Sequence, residues 1–94
     1  MEFEWDEAKY RLNQAKHHVD FRDLYPVFDY DFVDIVVQRP LMEERRVAIG
    51  RNVYGQFFFV VRTWRNGNRR IISARRAGRN ERQLHGRAYG PLSP

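Results

Sequence analysis

Apolar residues recur along this chain with two different periods, and the change of period marks its elements. Phe3 and Trp5 alternate with Glu2 and Glu4, the two-residue period of a strand. Asp6 then offers a side-chain oxygen to cap a helix, and Ala8, Leu12 and Ala15 recur at helical spacing to about His17 as a candidate buried stripe. Lys9, Asn13, Lys16 and His17 fall together on a separate, polar face. Val19-Asp20-Phe21 restarts the chain with Asp20 as a second cap. Phe21, Leu24, Val27 and Phe28 have the core spacing of a second helix. Pro26 has no N–H to donate, so this helix is predicted to be short or kinked.

Beyond the acidic turn at Asp29–Asp31 the pattern becomes extended. Phe32–Val37 is a predicted strand, broken by Pro40, and Glu44–Gly50 is a second with alternating Arg45, Val47 and Ile49. Asn52-Val53-Tyr54-Gly55 fits a type I turn closed by a left-handed glycine. Gln56–Trp64 is the most apolar run, hence central, and Asn66-Gly67 is the strongest hairpin signal in the chain. Arg69–Arg76 is its partner strand. A short helix follows from Gly78 to Leu84. The order is β-α-α-β-β-β-β-α, an α+β class: a mainly antiparallel sheet packed against two N-terminal helices. Residues 1–85 form one domain and 86–94 a loose tail.

The two turns also predict a register. They pair Trp64 with Arg69, Arg62 with Ile71, Val60 with Ser73 and Phe58 with Arg75, and across the earlier hairpin Arg46 with Arg62 and Glu44 with Trp64. Alternation then sorts the side chains. Val47, Ile49, Phe57, Phe59, Val61, Ile72 and Ala74 share one face, expected under the helices. Glu44, Arg46, Arg62, Trp64, Arg69, Ser73 and Arg75 share the other.

Composition sharpens this picture. The 94 residues are 43% hydrophobic and 15% aromatic, with no cysteine, so disulfides, thiolate catalysis and cysteine metal sites are excluded. No apolar run approaches the roughly 20 residues needed to span a bilayer, and a cytoplasmic protein without membrane contact is expected. Residues 1–44 carry eleven acidic side chains against five basic, whereas residues 45–94 carry twelve arginines and the single acid Glu81. Arginine's planar fork suits phosphate and base stacking, so a polyanion is the expected partner, nucleic acid first and an acidic protein second.

The same residues carry a family likeness. Phe3-Glu4-Trp5-Asp6 with Lys9, Asn13 and Lys16-His17 resembles the opening of BrnT toxins. Glu44-Arg45 leading to Ile49-Gly50, Val60-Val61-Arg62-Thr63-Trp64-Arg65, and Arg70-Ile71-Ile72-Ser73-Ala74-Arg75-Arg76-Ala77 before Glu81-Arg82 resemble their middle and end. The likeness covers residues 2 to about 82 and departs from the family at His18, Pro26 and the tail after Arg82. It implies a RelE-like fold and an endoribonuclease toxin that cuts RNA without a metal or other cofactor and inhibits translation. It further implies neutralisation by a BrnA-like antitoxin of ribbon-helix-helix type, the complex binding operator DNA.

Metal-free RNA cleavage needs a 2′-hydroxyl deprotonated, a phosphorane stabilised and a leaving oxygen protonated. His17 and Glu44 are the candidates for proton transfer. His17 equally suits capping of helix carbonyls, and Glu44 a salt bridge to Arg46 or Arg62. Arg62, Arg65 and Arg75 are candidates for transition-state contacts. Lys9, Lys16, Arg45, Arg46, Arg69 and Arg76 are candidates for RNA binding, with Ser73 as a phosphate hydrogen bond and Trp64 as a stacking platform. His18 and His85 are expected at the surface, and three histidines without ligand spacing argue against a metal site. The competing readings are a non-catalytic RNA- or DNA-binding module and a protein-interaction domain.

Overall fold

A computed structural model of the chain describes residues 3–37 and 44–90. Glu2, the Pro40 break and residues 91–94 of the expected tail lie outside the described residues. Strand β1 (Phe3–Trp5) leads into helix α1 (Glu7–His17), then a 3₁₀ helix (Phe21–Phe28). Strands β2 (Val33–Val37), β3 (Arg45–Arg51), β4 (Phe57–Arg65) and β5 (Asn68–Arg76) follow, and helix α2 (Arg79–Tyr89) closes the described chain. The strands form one mixed sheet in the order β1-β5-β4-β3-β2, so β4 is central. β1 runs parallel to β5, and the other neighbours are antiparallel.

Each helix differs from its sequence expectation for a local reason. Asp6 caps α1 by accepting from Lys9 N at 3.0 Å, but the helix buries Tyr10 and Asn13, and Leu12 is 73% exposed. Ala8 and Ala15 are exposed as well. The expected buried stripe is therefore the outer face. Asn13 decides the orientation: its Nδ2 donates to Ala74 O at 2.8 Å, and its Oδ1 accepts from Ala74 N at 3.2 Å. A polar residue thus docks the helix by completing the backbone bonds of β5.

The second helix is 3₁₀ rather than α, capped by Asp20. Its buried residues, Phe21, Leu24 and Val27, lie three apart, which aligns them on one edge of a three-residue turn. α2 runs on to Tyr89, well past Leu84, and Tyr89 Oη donates to Phe32 O at 2.7 Å.

The main core lies between the sheet and α1 with the 3₁₀ helix, and includes Tyr10, Phe21, Leu24, Val27, Ala48, Phe58, Val60, Ile71 and Ala74. Gly50 permits this approach: a Cβ there would stand 2.9 Å from both Phe32 Cβ and Val27 Cγ1. The opposite face holds Val47, Ile49, Phe57, Phe59 and Val61 with Ala77, and α2 lies across part of it. The helices that cover the main core therefore lie on the face opposite to the one expected from alternation.

Register explains the part of that exchange that falls on β5. Both hairpins form as expected, with Asn66 and Gly67 at φ 53° and 78° and Gly55 at 75°. Trp64 pairs with Arg69, Arg62 with Ile71 and Arg46 with Arg62. Between Val61 and Arg62 the β4–β5 register then slips, so that Val61 pairs with Ser73, Val60 with Ala74 and Phe59 with Arg75. Ile72 is the extra residue of a β-bulge. Ser73 and Arg75 therefore turn to the α2 face, away from Arg46, Arg62 and Arg69, and Ala74 turns to the α1 face.

Candidate nucleic-acid interface

At the Trp64 end of the α1 face, β2, β3, β4 and β5 bring together a charged cluster. Arg46 and Arg62 are direct cross-strand partners, an arrangement that repels unless a carboxylate intervenes. Asp34 supplies it. Its Oδ2 accepts from Arg46 Nη1 and its Oδ1 from Arg62 Nη2, each at 3.0 Å. Glu44 Oε1 accepts from Arg46 Nε at 3.0 Å, and Thr63 Oγ1 donates to Glu44 O at 2.7 Å. The salt bridge weighed for Glu44 is thus formed, with Arg46.

Arg62 is only 2% exposed. Its guanidinium carbon stands 5.1 Å from the Phe28 ring centre and 5.4 Å from that of Phe32. Its Nε and Nη1 have no hydrogen-bond partner among the described residues. Burial holds its pKa below the usual arginine value, against the pull of Asp34. Arg69 lies 3.9 Å over Phe28 and 5.3 Å from the Trp64 ring, and burial lowers its pKa as well, with Arg62 adding to the effect. Trp64 is 45% exposed. The surface of the cluster is therefore Glu44, Arg46 and Trp64, with Arg69 partly covered and Arg62 beneath them. Arg62, a candidate for transition-state contact, lies buried beneath this surface.

The remaining candidates are distributed elsewhere. Arg75 makes a bidentate pair with Glu81, both bonds 2.8 Å, and lies 4.1 Å over Phe59 on the α2 face. The pair raises the pKa of Arg75 and brings that of Glu81 down to about 2. Glu81 also accepts from Gly78 N, so the pair anchors α2. Ser73 shares that face, and Arg45 does so by alternation from Arg46, its Nε buried without a partner among the described residues. Arg76 donates from Nε to Phe57 O at 3.3 Å. Arg65 is exposed at the end of β4, and Lys9 and Lys16 are exposed on α1. His17 ends α1 half-buried and makes no hydrogen bond or ion pair to the Glu44–Arg46 cluster; the backbone N–H of His18 caps the helix instead. His85, expected at the surface, is buried, with Nε2 2.9 Å from Asp31 O.

Sequence reasoning missed Asp34 and Glu81. Asp34 is the lone charge inside the apolar run Val33–Val37, and Glu81 the lone acid of residues 45–94. A solitary charge in such a context is a signal for a buried partner. The described residues contain no group of three or more His, Asp or Glu side chains that could hold a metal ion. No helix among them is long and apolar enough to cross a membrane.

Three comparisons bear on this geometry. A family model described as the ribonuclease toxin BrnT of type II toxin–antitoxin systems matches residues 5–81. The crystal structure of the Brucella abortus ribonuclease toxin BrnT matches with a TM-score of 0.65 and 30% sequence identity, covering 84% of this chain and 99% of that one. No curated protein matches the chain.

Proposed function

Since the chain belongs to the BrnT family of ribonuclease toxins of type II toxin–antitoxin systems, we propose that it cleaves RNA without a metal, at the Glu44–Arg46–Trp64 surface, and so inhibits translation. The observation that carries this reading is the half-exposed Glu44–Arg46 pair backed by buried Arg62 and flanked by Trp64 and Arg69. A base of single-stranded RNA stacks on Trp64. Glu44 takes the proton of the 2′-hydroxyl as its oxygen bonds to phosphorus. The phosphorus–O5′ bond breaks, leaving a cyclic phosphate, and the 5′-oxygen is protonated by the Glu44 acid or by solvent. Arg46 and Arg69 face the charge that grows on the phosphorane, in surroundings that weaken screening. The partner follows from the family: an antitoxin, proposed to be a BrnA-like ribbon-helix-helix protein whose complex binds operator DNA.

One observation favours a second reading, a non-catalytic RNA- or DNA-binding module: the Glu44 carboxylate is already engaged by Arg46, and His17 makes no hydrogen bond or ion pair with either. Incubation of the purified protein with RNA in excess EDTA, beside Glu44→Ala and Trp64→Ala, separates the two. Cleavage by wild type and its loss in Glu44→Ala is the expected result. Binding without cleavage, or equal cleavage by all three, would sink the catalytic reading.

A further inference from the structure

Helix α2 lies outside the cluster described above, yet its arginines carry a second feature. Arg79, Arg82, Gln83, Gly86 and Arg87 fall on one side of the helix and, with Gly90 at its C-cap, Phe57 and His85, line a groove of about 650 Å³. The lining contains three guanidinium groups, one amide and two aromatic rings whose centres stand 4.9 Å apart. Among the described residues that line it there is no carboxylate and no aliphatic side chain. Gly86 leaves its middle open, since a Cβ built there meets nothing within 4 Å.

No Leu, Ile, Val or Met side chain lines the groove to seat the anchors of a protein helix, and its apolar surface comes from rings and arginine stems. Guanidinium groups, a ring and an amide are instead the groups that hold phosphate, stack on a base and bond its edge. α2 is held in place through Glu81 to Arg75, His85 to Asp31 O, Tyr89 to Phe32 O and Arg82 Nη1 to Ala77 O, which leaves the exposed Arg79 and Arg87 to face a ligand. We propose that the groove beside α2 binds a nucleotide of single-stranded RNA, away from the bond that is cut, with Arg79 and Arg87 on phosphates and the base against Phe57. The proposal rests on the RNA-cleaving reading for its substrate but not for its site.

The test uses the full chain and a short single-stranded RNA, with affinity measured by fluorescence anisotropy at several salt concentrations and cleavage followed in parallel. Gly86→Leu fills the groove, keeps every charge and suits a helix better than glycine. It is expected to weaken binding about tenfold with an unchanged salt slope. Arg79→Ala with Arg87→Ala is expected to weaken binding similarly and to flatten the slope by about 1.4, the loss of two phosphate contacts. Binding and cleavage like wild type by both variants would overturn this inference and leave the cleavage reading standing. Groove-dependent binding without cleavage by any protein would do the reverse. Unchanged RNA affinity with loss of complex formation with the co-expressed antitoxin would assign the groove to a protein partner and overturn the proposal.

Discussion

Arg46 and Arg62 face each other across β3 and β4, and a single carboxylate, Asp34 on β2, bonds both at 3.0 Å. Two like charges are thereby held side by side, one partly exposed and one buried. Among the described residues Asp34 is the one hydrogen-bond partner of the Arg62 guanidinium, whereas Arg46 also donates to Glu44.

Asp34→Ala is accordingly expected to cost about 3 kcal/mol, because it strands the buried Arg62 charge. Chemical denaturation measures this directly. Adding Arg62→Met to Asp34→Ala is expected to recover much of the loss, since Met fills a similar volume without a charge. A double variant as unstable as the single one would show that the carboxylate acts through something other than Arg62.

The Arg75–Glu81 pair makes stability depend on acid. The Glu81 carboxyl titrates near 2 in the fold, against 4.5 ordinarily. Its contribution is therefore complete above the ordinary value and is lost as the pH falls from about 4.5 towards 2. Glu81→Gln is expected to lose about 1–2 kcal/mol at pH 7, reduced because the pair is partly exposed. The difference from wild type should shrink at pH 3. A difference that is constant with pH would argue that the loss comes from capping at Gly78 alone.

Asn13→Ala removes the clamp on Ala74 and leaves a buried backbone N–H and C=O of β5 short of partners. A loss of about 2–3 kcal/mol is expected. Amide exchange at Ala74 should accelerate together with that of α1, while β2 and β3 stay protected. Uniform acceleration across the sheet would place the effect in global stability instead.

Trp64→Ala separates binding from folding. The indole is 45% exposed, so the melting temperature is expected to change by only a few degrees. RNA affinity is expected to fall by about 1–3 kcal/mol, the usual value of one stacked base. Affinity like wild type would remove Trp64 from the interface.

Much of this architecture can be read from the chain. The Asn66-Gly67 and Asn52–Gly55 turns specify both hairpins, because few residues tolerate their positive φ. The pairing of Arg46 with Arg62 follows from those turns alone. Ile72 could not be foreseen: nothing in Ile71-Ile72-Ser73 distinguishes a bulge from a regular strand, and that one residue sends Ser73 and Arg75 to the other face. The α1 stripe was misleading for a different reason. Helical spacing identifies faces but not which is buried, and Asn13 wins through two backbone bonds that hydrophobicity does not register. The site is legible in its residue types and less so in its depth. Arg62 lies beneath the surface because Phe28 and Phe32, from a distant stretch, cover it.

The position of β2 has a consequence for how the protein behaves at high concentration. Among the described residues this strand pairs only with β3, and it exposes Ile35 and Val36 beside its free backbone edge. Such an edge is a template on which further chains can add. Asp34, beside Ile35 on this strand, is held inward by Arg46 and Arg62, so its charge does not guard the edge. Self-association through this edge should therefore rise with protein concentration, and a charge placed on it by Val36→Lys should raise solubility.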